Sequence, residues 1–111
     1  GRADDMLVIR GVNVFPTQIE EVLLKIEEIG PHYEILVERK NRLDVMTITV
    51  ELVDDRLLDS YTKLSELESR IKRALKSQLG LATQIRLVAP NTLQRFEGKA
   101  RRVTDLRKDG L

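Results

Sequence analysis

With 111 residues the chain is long enough for one domain and too short for two. Its 19 basic and 18 acidic residues nearly cancel, which speaks against a nucleic-acid binder built on basic excess. It has no cysteine, which removes disulfides, thiolate metal sites and thiol nucleophiles and is compatible with a cytoplasmic setting. No apolar run approaches the roughly 20 residues of a membrane span, and no signal peptide opens the chain. There is no starting methionine and the first residues are rich in motif. The chain therefore reads as a piece of a longer polypeptide, or Gly1 is left from a tag.

Taken in order, Met6–Ile9 and Val12–Phe15 are short apolar runs around Arg10-Gly11, and the glycine lets the chain reverse. A small hairpin is expected. The spacing of Ile19, Val22, Leu23, Ile26 and Ile29 predicts a helix over 16–29. Thr17 to Glu20 fits a capping box, with Pro16 as the alternative first helical residue. Gly30-Pro31 is placed to end that helix. Two strands follow. Tyr33, Ile35 and Val37 share one side of the first, and Met46, Ile48, Val50 and Leu52 share one side of the second. The polar link Lys40-Asn41-Arg42 makes them an antiparallel pair.

An aspartate-rich connection leads to a longer helix over 60–79, striped by Leu64, Leu67, Ile71, Ala74, Leu75 and Leu79. Ser60 is its candidate N-cap and Gly80 its candidate C-cap residue. Gln84 to Val88 reads as a last strand, stopped by Pro90. Two amphipathic helices must bury their stripes on one face of a small sheet. The expected fold is a two-layer α+β sandwich of ferredoxin-like type with a short N-terminal hairpin. Its parts are a hinge segment and hairpin over 1–15, an α+β core over 16–90 and a tail over 91–111.

From Gln94 the core periodicity stops, and six basic residues face three acids between Arg95 and Leu111. Glu97-Gly98-Lys99 sets a lysine beside a glycine that keeps the backbone slim, so that a long ammonium arm can reach phosphate oxygens. Taken by itself the tail reads more plainly as a basic arm with a solvated lysine, because Gly-Lys is common.

The two ends together carry more. Gly1-Arg2-Ala3-Asp4-Asp5 resembles the hinge motif of AMP-forming acyl-CoA ligases, a branch of the adenylate-forming superfamily, and Glu97-Gly98-Lys99 resembles their late lysine motif. The run from Val12 through Phe15-Pro16-Thr17-Gln18-Ile19 to Glu21 is more specific and is most similar to the phenylacetate–CoA ligase group. The resemblance implies a C-terminal mobile domain of a ligase that activates phenylacetate or a related aryl acid with ATP and passes it to CoA, releasing AMP and pyrophosphate. It implies that Lys99 contacts the acyl carboxylate and phosphate, that Asp4 is the hinge and that Arg2 lies near the nucleotide. It also implies that Gly11 enters the pantetheine channel when the domain rotates. ATP and CoA are then substrates, with Mg2+ held mainly by a large N-terminal domain of the same chain. A homodimer of the full-length enzyme is left open, and the domain alone is expected to be inactive.

The sequence departs from the family pattern in two places. Gln94-Arg95-Phe96 stands where Pro-Arg and a small hydroxyl residue are usual, and Asn13 stands where other branches carry a basic residue. His32 is the only histidine and has no partner for a metal site. Asp4-Asp5 is too small a cluster for a divalent ion. Tyr33, Phe15, Phe96 and Tyr61 are too scattered for a base-stacking platform. Two rival classes remain: a free-standing ferredoxin-like module binding an amino acid or other small effector, and a nucleic-acid binder using the basic tail.

Overall fold

A computed structural model describes residues 6–93 and 102–107. Strands β1 (Leu7–Ile9) and β2 (Val12–Val14) form a separate two-stranded antiparallel sheet. Ile9 pairs with Val12, so Arg10 and Gly11 alone make the turn. Both have positive φ, 52° and 77°, the combination that lets a two-residue turn match the twist of its strands. Val14 at the base of the hairpin and Ile9 beside its turn are fully buried and pin it to the core.

Helix α1 (Pro16–Leu23) is shorter than the spacing predicts. Phe15 is its N-cap and Pro16 its first residue, where proline's fixed φ is already helical. Gln18, not Glu20, reaches back, its Oε1 accepting from the Phe15 N–H at 2.9 Å. The helix stops at Leu23, although the apolar stripe runs on through Ile26 and Ile29. Continuing it would place Glu27 and Glu28 at the negative C-terminal end of the helix dipole. Instead, tight turns bring Ile26 back onto the core, and Ile29 opens β3 (Ile29–Lys40). Gly30-Pro31 therefore lies inside a strand, where the register slips between Ile29 and Tyr33. A proline is tolerated at such an irregularity because no ladder bond is asked of it there.

Strand β4 (Leu43–Leu52) pairs antiparallel with β3 through the two-residue turn Asn41-Arg42, both again at positive φ. A 3-10 turn over Asp55–Asp59 leads to α2 (Tyr61–Leu79). The Ser60 side chain caps α2 by accepting from the Lys63 N–H, and Gly80 closes it in the left-handed conformation. Strand β5 (Gln84–Val88) runs parallel to β4. The tail contributes a sixth strand that the sequence pattern does not announce, β6 (Val103–Asp105), parallel to β3.

The four-stranded sheet thus has the order β5-β4-β3-β6 and is mixed. The register puts Tyr33 opposite Val50, Ile35 opposite Ile48 and Val37 opposite Met46, so one face carries the apolar row. Leu67, Ile71, Leu75 and Leu79 of α2 and Ile19, Val22 and Leu23 of α1 are buried in the same cluster. The result is the expected two-layer α+β sandwich. No helix among the described residues is long and apolar enough to cross a membrane.

Candidate functional site

The sequence singles out Gly11, Lys99, Asp4 and Arg2. Gly11 is described; Arg2, Asp4 and Lys99 lie outside the described residues. The site is therefore built from the Arg10-Gly11 turn and from the chain on either side of residues 94–101.

The turn is exposed, and a Cβ placed on Gly11 would meet nothing within 4 Å. Among the described residues only its positive φ calls for glycine. Arg10 has a side chain and is held in the left-handed region nonetheless. Its backbone N–H donates to Asp44 Oδ2 at 3.0 Å, and its Nε donates to the Asp44 carbonyl at 2.9 Å. One residue of β4 thus grips both the backbone and the side chain of the residue preceding Gly11.

Asp44 is itself a hub. Arg39 Nε donates to its Oδ1 at 3.1 Å, and an Arg107 terminal nitrogen donates to its Oδ2 at 3.2 Å. The same Arg107 nitrogen donates to the Val8 carbonyl at 2.6 Å, while the other terminal nitrogen meets Asp105 Oδ2 at 2.8 Å. The Arg107 side chain is only 8% exposed and that of Asp44 12%. The Asp44 carboxyl is held below the usual range chiefly by the Arg10 backbone N–H, which outweighs the opposing effect of burial, with further lowering by the Arg39 and Arg107 guanidinium groups. Asp105 is lowered likewise, chiefly by its bonds from Arg107. With Met6, Leu7 and Val8, these side chains line a shallow open depression.

A second cluster stands where the chain enters β6. The Arg102 guanidinium lies 4.6 Å from the centre of the Tyr33 ring and 3.6 Å from Glu20 Oε2, and the Tyr33 hydroxyl donates to the same oxygen at 3.3 Å. Burial raises the Tyr33 pKa above its ordinary value, so the phenol stays protonated at neutral pH. On the far side of residues 94–101, the Leu93 N–H donates to Glu51 Oε2 at 2.7 Å, and Glu51 is buried.

The sequence pattern gives no sign of either cluster. Asp44 reads as the start of a strand, and Arg102 and Arg107 as members of a basic tail. Only the pairing of β6 with β3 brings these arginines to their acids. Among the described residues no group of three or more histidine, aspartate or glutamate side chains converges as metal ligands.

The family described as AMP-binding enzyme C-terminal domain matches residues 11–107. Among curated proteins, the phenylacetate-coenzyme A ligase of Escherichia coli (strain K12) is 42% identical over 107 residues, covering 96% of this chain and 24% of that protein. Its namesake from Pseudomonas putida is 46% identical over 109 residues, covering 96% and 24%. The chain spans about a quarter of the length of the curated relatives it matches. Among solved structures, a domain of phenylacetate-coenzyme A ligase from Bacteroides vulgatus ATCC 8482 superposes with a TM-score of 0.85 at 39% identity, covering 98% of this chain and 99% of that one. A 2-hydroxyisobutyryl-CoA ligase in complex with 2-HIB-AMP and CoA in its thioester-forming state superposes at 0.84 with 31% identity, covering 95% and 22%. The same enzyme in its postadenylation state gives 0.81 at 32% identity, covering 96% and 23%. With the family match spanning residues 11–107 and a full-length superposition on one of its domains, the chain belongs to the AMP-binding enzyme C-terminal domain family.

Proposed function

We propose that this chain is the mobile C-terminal part of an AMP-forming acid–CoA ligase acting on phenylacetate or a related aryl acid. In the first step a carboxylate oxygen of the acid attacks the α-phosphorus of ATP, and pyrophosphate leaves with its electron pair. Negative charge crowds the reacting atoms. An ammonium group held there, assigned to Lys99, opposes that charge in the transition state, where such a cation is worth several kcal/mol, on the order of 3. In the second step the CoA sulfur attacks the acyl carbon and AMP leaves.

Rotation about Asp4 removes Lys99 between the steps and brings the Arg10-Gly11 turn to the pantetheine arm. Arg2 stays near the nucleotide. Backbone can line a narrow channel only where no side chain intrudes, which is the role assigned to Gly11. Mg2+ accompanies ATP and is held by the part of the protein outside this chain, which would also house the nucleotide and acid pockets. The cysteine-free composition accords with a cytoplasmic protein.

The observation that carries the reading is the turn itself: an exposed glycine with open space around it, on a hairpin fixed to the sheet. The names of the relatives support the acid and CoA. An effector-binding module is not favoured, because the curated relatives of this chain are ligases about four times its length. A base-stacking surface is not favoured either, because Tyr33 is only 4% exposed.

The test is to incubate the full-length protein with phenylacetate, ATP, Mg2+ and CoA and to measure AMP, pyrophosphate and phenylacetyl-CoA by chromatography. Formation of all three, dependent on the acid, is expected. Absence of AMP with every aryl acid tried overturns the assignment.

A further inference from the structure

We propose that Asp44 is a positioning residue for the thioester-forming step, setting the direction of the Arg10-Gly11 turn; the inference rests on the ligase reading above. The hairpin is short, three residues to a strand, and forms a sheet of its own. Such a ribbon is marginal alone. Val14 at its base and Ile9 just before the turn are buried, but apolar contact is non-directional and does not by itself fix which way the exposed turn points. Direction comes from hydrogen bonds. Asp44 supplies them at the residue beside Gly11, one to its backbone N–H and one to its guanidinium.

The arrangement exceeds what a surface ion pair needs. Arg39 arrives from β3, Arg107 from beyond β6 and Arg10 from the turn, and all meet one aspartate of β4. Arg107 also donates to the Val8 carbonyl, so the strand leading into the turn is tied to the same point. Exposed pairs contribute little to stability, but a hydrogen-bonded support can hold a functional backbone within about 0.5 Å of its working position. A turn that must enter a channel is sensitive to tilt on that scale, whereas the adenylating lysine lies on a different segment. Loss of Asp44 should therefore divide the two half-reactions.

The test uses full-length Asp44→Asn, which keeps the shape but leaves one side-chain acceptor oxygen for the three donors from Arg10, Arg39 and Arg107, together with Arg107→Lys. Each half-reaction is followed separately: pyrophosphate release with acid and ATP before CoA is added, and thioester formation from preformed phenylacetyl-adenylate and CoA. Both variants are expected to form the thioester about tenfold more slowly while adenylation stays within about twofold of wild type. Arg39→Met, which removes one bond to Asp44, is expected to give a smaller loss of the same step. An equal loss in both half-reactions, or no loss in either, overturns the positioning role while an active wild type leaves the ligase reading standing. A wild type that forms neither product overturns both. Should Asp44→Asn fail to fold, Arg39→Met, whose side chain is 47% exposed, decides between the outcomes by the same comparison.

Discussion

Replacing Arg102 with methionine removes a charge and keeps most of the stem. The structure gives the size of the effect. The cation–π contact lies 4.6 Å from a buried ring, with the Arg102 side chain 21% exposed, and contributes about 1 kcal/mol. The ion pair to Glu20 is 3.6 Å long and partly solvated, adding about 0.5 kcal/mol. Together they hold β6 against β3 by about 1.5 kcal/mol, a factor of roughly ten in a local opening equilibrium. That strand has three residues and sits at the sheet edge, so it should open without unfolding the core. Amide hydrogen exchange reads this directly. In Arg102→Met the Leu106 N–H, bonded to the Val37 carbonyl at 2.8 Å, should exchange about tenfold faster, while the amides of α2 around Ile71 and Leu75 change little. Unchanged protection at Leu106, or equal acceleration in α2, would refute the idea that this cluster pins β6.

Ile71→Ala empties a fully buried site at the centre of α2 and should lower stability by about 2–5 kcal/mol, measured by urea denaturation followed by circular dichroism. Gly11→Ala meets no steric obstacle among the described residues, so its φ of +77° is what opposes it; a loss of about 1 kcal/mol is expected by the same method. Acid should weaken the hairpin anchor. Asp44 and Asp105 have folded pKa values below the unfolded 3.8, so their contribution is fully present above 3.8 and is lost as pH falls through the lowered values. The stability difference between wild type and Asp44→Asn should accordingly shrink below pH 3.8 and stay constant at higher pH, as acid titration of both proteins would show.

Parts of this architecture are legible because they depend on neighbours in the chain. The stripe of α2 sets its buried face, Ser60 and Gly80 set its ends, and alternation in β3 and β4 sets the apolar side of the sheet. The end of α1 is misread for an instructive reason. Ile26 and Ile29 keep helical spacing, yet one packs from a turn and the other from a strand, since the core accepts apolar side chains from any backbone that reaches it. Strand β6 is hidden because its pairing with β3 joins residues nearly seventy positions apart and its own three residues carry no pattern. The Asp44 hub is hidden likewise: its donors come from Arg10, Arg39 and Arg107, which only the assembled sheet brings together. At the ends of the chain, the short motifs in Gly1–Asp5 and Glu97–Lys99 carry a resemblance without periodicity, and residue chemistry alone reads Lys99 as a solvated cation.

The central claim is that this domain serves two steps in turn, an ammonium group first and a bare turn second. The most direct measurement compares full-length Lys99→Ala with wild type in the two half-reactions. Acyl-adenylate formation should fall by a factor of about 100 or more, the loss of a cation aimed at the transferring phosphate, while thioester formation from preformed acyl-adenylate remains within about twofold. A Lys99→Ala protein that loses both half-reactions equally, or keeps adenylation at the wild-type rate, contradicts the account.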